Sequence, residues 1–315
     1  MSSLTKNIII GSRGSEIALW QSNHIKGQLE TSYPNVNVSI KIVKTTGDQI
    51  LDSPLSLIGG KGLFTAELEQ ALLSKHVDIA VHSLKDLPTD CHPELTVAAI
   101  PLREDVRDVF IGRSNISSIQ SLPIGATIAT GSLRRKAQLL ALRPDLNVID
   151  IRGNVPTRIK KLRESKWDGM ILAAAGLIRL SLQSEISEFI EPKIMLPAPG
   201  QGALAIECRA DDHELRELLA PLNDIDTQLC VTGERIVLGE LGGGCQLPLG
   251  ALAIKDGDAY TLSACIADPE GTSLVRLTSS SAKDDFIQTA KELANKLRLQ
   301  GGNEILSRLN TNAHQ

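Results

Sequence analysis

Gly125-Ala126-Thr127-Ile128-Ala129-Thr130 leads directly into Gly131-Ser132-Leu133-Arg134-Arg135-Lys136-Ala137-Gln138-Leu139-Leu140-Ala141-Leu142. The first run is short and apolar, as a buried strand is; the second carries its apolar residues at helical spacing. Ser132 sits where an N-cap belongs, so the helix is expected to begin just after it. The same unit recurs along the chain at 7–11 then 15–31, 36–43 then 62–75, and 146–151 then 155–165, with further strand-like runs at 77–82, 95–100, 108–112 and 169–174. Strand–helix alternation predicts α/β layers with largely parallel sheets, and two such sets predict two doubly wound lobes.

Pro197-Ala198-Pro199-Gly200-Gln201-Gly202 interrupts this series with turn formers, just before the apolar run Ala203 to Cys208. There the chain is read as crossing back from the second lobe to the first. Beyond about Asp224 come one helix, a glycine strap, amphipathic strands at 249–254, 259–267 and 273–280, and a helical tail from about 282. This predicts a smaller α+β domain. The 315 residues exceed one ordinary core, and the expected domains are 1–100 with 198–222, 101–197, and 223–315.

Hydrophobic content of 42% with 22% charged residues is that of a soluble globular protein. The longest apolar run, Met170 to Ile178, falls well short of the roughly 20 residues a membrane helix needs. The amino terminus reaches the strand-like Ile8-Ile9-Ile10 too soon to hold a signal peptide, so a cytosolic protein is expected. The five cysteines, at 91, 208, 230, 245 and 265, are odd in number and lack CxxC spacing, which argues against a disulfide framework and a metal site. A net charge of -4 conceals a local excess: between Arg134 and Lys166 ten basic residues face three acidic ones, a local +7. A polyanionic ligand is the first partner this suggests.

Polar residues gather where the strands end. Ser12-Arg13 follows the first strand, His82-Ser83-Leu84-Lys85-Asp86 follows 77–82, Arg152-Gly153-Asn154 follows 146–151, and Arg179 comes shortly after 169–174. Ligands of open α/β sheets bind beyond the carboxyl ends of strands, so one anion-binding mouth is expected. Arginine predominates there, and its planar fork matches a carboxylate or phosphate. For Lys160, Lys161, Arg163 and Lys166 a solvated helix face is an equal explanation. Asp86, a lone carboxylate in cationic surroundings, suits stabilising positive charge on a substrate or moving a proton; a turn or capping aspartate fits its position too. Gly59-Gly60-Lys61-Gly62-Leu63-Phe64-Thr65 fails as a Walker A loop, with Leu55 and Gly62 at the diagnostic positions. It reads as a glycine loop entering a helix, with Lys61 open to a ligand. Leu241-Gly242-Gly243-Gly244-Cys245-Gln246-Leu247-Pro248 presents one thiol on a glycine strap, either a small buried hydrophobe in a tight turn or a thiol offered for chemistry.

In this order these segments resemble the porphobilinogen deaminase family over nearly the whole chain: Ser12-Arg13 with Ala18-Leu19-Trp20-Gln21, Gly59 to Phe64, Ala80 to Asp86, Arg103-Glu104-Asp105, Ser132 to Arg135, Arg152 to Asn154, Ala175-Gly176-Leu177, Gly200 to Ala203, and Gly243 to Gln246. The resemblance implies a transferase that condenses four porphobilinogen molecules head to tail, with loss of ammonia, into the linear tetrapyrrole hydroxymethylbilane of haem biosynthesis. It also implies a dipyrromethane cofactor held by a thioether on Cys245, with Asp86 as the catalytic aspartate. Ser83, Lys85, Ser132, Arg134, Arg135, Arg152 and Gly153 are implied around the cofactor. Arg13, Gln21, Lys61, Phe64, Arg158, Arg179 and Gln201 are implied around substrate. Each pyrrole ring carries an acetate and a propionate, so cofactor plus four substrates bring about twelve carboxylates that need paired donors once desolvated. Basic strand ends answer that need. Two positions depart from the family's pattern: Leu57, where a second lysine is common, and Gly131, where many relatives have serine.

Two α/β lobes hinged about a cleft also describe a periplasmic-binding-protein-like solute receptor, but that reading leaves the thiol strap and the third domain unexplained. A nucleic-acid binder would account for the +7 stretch, yet only 3% of residues are aromatic and the chain is acidic overall, leaving few stacking platforms. The expected protein is a monomer acting on a small molecule, with neither nucleic acid nor membrane as partner.

Overall fold

The computed structural model describes residues 6–46, 65–243 and 247–312. The chain falls into two compact units, residues 1–104 with 202–228 and residues 105–201 with 229–315.

The first unit contains β1 (Lys6–Ser12), α1 (Glu16–Ser32), β2 (Val36–Ile42), α2 (Ala66–Leu73), β3 (Ile79–Ser83) and β4 (Leu95–Ala99), completed late in the chain by β10 (Leu204–Arg209) and α6 (His213–Leu219). Its sheet has the order β2-β1-β3-β10-β4. β1 pairs in parallel with β2 and β3, whereas β10 runs antiparallel to both of its neighbours. Successive strand residues point to opposite helical layers. Ile8, Ile10, Ile79, Val81 and Ile206 pack with Ile25 and Leu29 of α1 and Leu215 and Leu219 of α6, while Ala80 meets Leu68 and Leu72 of α2 on the other face. With both faces covered, Ile79-Ala80-Val81 has no reason to alternate with polar residues.

The second unit contains β5 (Asp108–Gly112), β6 (Thr127–Ala129), α3 (Leu133–Leu142), β7 (Asn147–Ile149), α4 (Val155–Glu164), β8 (Gly169–Ala173), α5 (Ala174–Arg179) and β9 (Glu188–Ile190). Its sheet, β7-β6-β8-β5-β9, repeats the topology of the first: β6 is parallel to β7 and β8, and β5 is antiparallel to β8 and β9. In each sheet the reversed strand is the one laid down first after the chain crosses between units. Phe110, Ile128 and Ile171 bury against Leu139 of α3; Val109, Met170 and Leu172 bury against Ile159 and Leu162 of α4 and Leu177 of α5. Both five-stranded sheets are therefore doubly wound, as the sequence pattern predicts.

The same unit holds most of α7 (Ile225–Glu240), an antiparallel sheet of β11 (Leu249–Asp256), β12 (Ala259–Ala267) and β13 (Leu274–Ala282), and helices α8 (Phe286–Leu297) and α9 (Asn303–Asn312). One face buries Ala251, Ala253, Leu262 and Ala264 against Phe286, Leu293 and Leu297 of α8. On the other, Leu252 and Cys265 pack with Leu196. Glu234 of α7, fully buried, fastens these parts: its Oε2 accepts from Gly200 N at 2.7 Å and its Oε1 from Ala253 N at 2.8 Å. The turn between β12 and β13 reaches α3, where Lys136 pairs with Glu270 at 2.6 Å. α7 closes in a Schellman motif, with Gly243 N donating to Leu238 O at 2.9 Å, Gly242 N to Gly239 O at 3.1 Å, and Gly242 at φ +101°, a value glycine adopts without strain. The helical tail expected from about 282 begins at Phe286, because β13 continues to Ala282. No helix among the described residues is long and apolar enough to cross a membrane.

Candidate active site

In the first unit β1 and β3 are parallel neighbours, so their carboxyl ends open on the same sheet edge. Arg13 follows β1, and β3 passes through Ser83 into a 3-10 turn at Leu84–Asp86. The turn is pinned at its base, where Leu84 is buried and its N–H donates to Ala203 O at 3.0 Å. Asp86 is left exposed and Lys85 half-buried. Ser15 caps α1 by accepting from Ala18 N at 3.4 Å, and the buried Gln21 on that helix donates to Ser83 Oγ at 2.7 Å. Arg13, Ser83, Lys85 and Asp86 thus leave one edge, with Gln21 bonded to it. Beside them His82 and Glu207, both buried, pair at 2.9 Å. Glu207 escapes a reading of the sequence because its partner lies 125 residues away.

In the second unit β7, β6 and β8 are parallel neighbours as well, and Ser132–Arg135, Arg152–Gly153 and α5 leave their carboxyl ends. Ser132 Oγ accepts from Arg135 N at 3.5 Å and Asn154 Oδ1 from Thr157 N at 2.9 Å, capping α3 and α4. Arg152 stands 3.7 Å from Asp150, and Arg158 Nε donates to Gly153 O at 2.6 Å. Arg179, at the end of α5, is buried. Lys160, Lys161, Arg163 and Lys166 are exposed, and Arg163 pairs with Glu185. The basic stretch therefore divides between the sheet edge and a solvated helix face.

Arg134 and Arg135 turn inward. They are 4% and 6% exposed and meet on Asp108, the fully buried first residue of β5. Arg134 donates from Nη1 to Oδ2 at 2.6 Å and from Nη2 to Oδ1 at 3.3 Å; Arg135 donates from Nε and Nη2 to Oδ1 at 3.0 and 2.8 Å. Gln201, expected to touch substrate, is wholly buried and donates to Asp108 Oδ1 at 2.9 Å. Burial works against ionisation of Asp108, yet the two guanidinium groups hold its carboxyl well below the usual carboxylate range. Burial likewise pushes the Arg135 guanidinium down, opposed by Asp108. Two cations on one anion leave a formal +1, and among the described residues Arg134 Nε finds no acceptor. A buried positive charge with an unfilled donor suits one more anionic oxygen, so this donor set fits a carboxylate-bearing group such as dipyrromethane. Asp108 is missed by sequence reasoning because nothing local marks an acidic residue opening an apolar strand as buried.

Cys245, Lys61 and Phe64 lie outside the described residues, as does Leu57. Of the four cysteines described, Cys91 is exposed and Cys208, Cys230 and Cys265 are buried, none in a disulfide. Burial, with Asp212 nearby, pushes the Cys208 thiol up to about 11, and burial raises that of Cys265.

Two family models match the chain: porphobilinogen deaminase, dipyromethane cofactor binding domain, over residues 8–217, and porphobilinogen deaminase, C-terminal domain, over residues 228–299. The porphobilinogen deaminase of Geobacter sulfurreducens is 48% identical over 298 residues, 95% of this chain and 93% of its own length. That of Syntrophomonas wolfei is 47% identical over 301 residues, 96% of this chain and 98% of its own. Among solved structures, the VFT2 domain of Bordetella pertussis BvgS aligns with a TM-score of 0.40 at 13% identity, covering 72% of this chain and 90% of that one.

Proposed function

The chain belongs to the porphobilinogen deaminase family, and from that premise we propose how its own residues divide the work. The protein is a transferase of tetrapyrrole biosynthesis that condenses four porphobilinogen molecules head to tail, with release of ammonia, to hydroxymethylbilane, and it carries a dipyrromethane cofactor. When bound, that group supplies the free pyrrole α-carbon from which the tetrapyrrole is built.

In this reading Cys245 holds the cofactor as a thioether. Burial pushes the thiols of Cys208 and Cys265 up, away from the thiolate that is the reactive form of cysteine. Arg134 and Arg135, with Ser132 at the head of α3, take the cofactor's acid arms, joined by Arg152, Gly153, Lys85 and Ser83. Arg13, Arg158, Arg179, Gln21, Lys61 and Phe64 receive the incoming substrate, and Gln201 serves the anion site from behind through Asp108. Asp86 acts on the charge that the reaction creates. Departure of ammonia from the aminomethyl group leaves a cationic methylene conjugated with the pyrrole N–H. Asp86 accepts that N–H and offsets the charge while the carbon–carbon bond forms and the α-hydrogen is lost as a proton.

The buried +1 at the head of α3, with Arg134 Nε unfilled, is the observation that supports this reading most directly. Intact-protein mass tests it: native protein is expected to exceed its sequence mass by a two-pyrrole adduct, and Cys245→Ala to sit at sequence mass. Native protein at the bare sequence mass would overturn the assignment. We further divide the chain into the domains 1–100 with 198–222, 101–197, and 223–315, the last two supported by their separate apolar clusters. We propose further that the protein acts as a cytosolic monomer on the small molecule porphobilinogen.

A further inference from the structure

We propose that Asp108 is a positioning residue of the anion site: it fixes the aim of Arg134 and Arg135 and sets their joint charge so that a single ligand carboxylate completes the neutralisation. The inference rests on reading those two arginines as holders of acid groups. Asp108 offers two oxygens with about four lone-pair sites, and five N–H contacts from Arg134, Arg135 and Gln201 converge on them at 2.6 to 3.3 Å. The carboxylate is therefore saturated.

Each guanidinium is held at a second point as well. Arg134 Nη1 donates to Leu196 O at 2.7 Å and Arg135 Nη1 to Ile171 O at 3.3 Å. Gln138, one turn on from Arg134, clasps the same residue, accepting from Leu196 N at 2.8 Å and donating to Leu196 O at 3.0 Å. Both side chains are thus locked in orientation before any ligand arrives, which spares the ordering cost that long, flexible cations otherwise carry on binding. Charge is set by the same contacts. Without Asp108 the pair would present +2 in a buried site and grip anions indiscriminately; with it the site presents +1 and asks for one oxygen at the unfilled Arg134 Nε.

Asp108→Asn keeps the size of the side chain but removes the charge and sets an amide N–H against guanidinium N–H groups. The test compares wild-type and Asp108→Asn holoenzyme by intact mass, by kcat and KM for porphobilinogen, and by inhibition with inorganic phosphate. Misaimed cations are expected to lower kcat by about tenfold or more while KM moves by less than about threefold. The extra positive charge is expected to let phosphate inhibit at roughly tenfold lower concentration. Wild-type kinetics together with wild-type phosphate sensitivity would overturn the proposal. If Asp108→Asn does not fold, Gln201→Met decides: it leaves the charge in place but frees one side of the carboxylate, so kcat should fall with phosphate sensitivity unchanged, and an unaltered kcat counts as refutation. Arg134→Leu separates this inference from the reading beneath it. Full adduct and normal turnover in Arg134→Leu would remove the anion site itself, whereas impaired Arg134→Leu beside normal Asp108→Asn would remove only the role of Asp108.

Discussion

Asp108 ties acid stability to one side chain. Its carboxyl titrates lower in the fold than in the unfolded chain, so its contribution is complete above the unfolded carboxylate value near 3.9 and is lost as pH falls below it. Urea unfolding followed from pH 6 to pH 3 should therefore show wild-type stability falling more steeply than that of Asp108→Asn. At neutral pH the variant should be less stable by about 3–5 kcal/mol, the usual cost of leaving buried charge uncompensated. Asp86, exposed at its strand end, carries no such structural load. Asp86→Asn is expected to keep the wild-type circular dichroism and the cofactor mass while turnover drops by about 10²–10³, as when a transition-state partner is lost. Gly131 gives the opposite lesson about the family's common serine. A Cβ there would lie 2.8 Å from Ile151 O, so Gly131→Ser should push the loops after β6 and β7 apart and cost about 1–3 kcal/mol in denaturant titration rather than help binding. The sequence discloses Ser132, Arg134 and Arg152 because capping and strand-end position are local facts. It does not disclose Asp108 or Glu207, because what makes them special is a partner far along the chain.

At the scale of elements, α3 is braced from outside as well as capped. Gly271, in the turn between β12 and β13, has φ +71°, and a Cβ on it would meet Ala141 N at 2.4 Å. Gly271→Ala is thus expected to strain both the turn and the helix carrying Arg134 and Arg135, costing about 1–3 kcal/mol in chemical denaturation. If the mutant unfolds like wild type, the turn does not bear on α3. Long periodic elements were legible within a residue or two: the runs read at 259–267 and 132–142 are β12 and α3. Among short elements, β6 and β7, three residues each, were legible because each runs into a periodic helix, whereas β9 and α5 were not. β9 is three residues and α5 six, too few for any period to register, and α5 follows β8 without a break that the sequence would flag.

Across the molecule, alternation of strand and helix is readable because each pair is contiguous, whereas the insertion of β10 between β3 and β4 is a pairing across more than a hundred residues. No local pattern encodes it. A chain ending at residue 201 would lack that strand and leave the bonding edges of β3 and β4 open. Such a fragment is expected to sediment as aggregate, while the full chain stays in solution; a soluble fragment with native circular dichroism would argue that the sheet closes without β10. The buried carboxylate of Glu234 shows how narrow the chemical tolerance of this architecture is. Each of its oxygens receives one backbone N–H, from Gly200 and from Ala253. Glutamine has nearly the same outline, but its terminal amide has one oxygen and one nitrogen, so in either orientation a donor would confront a donor. The substitution gentlest in shape is, at this rivet between crossing segment, helix and strand, the one that sets like against like.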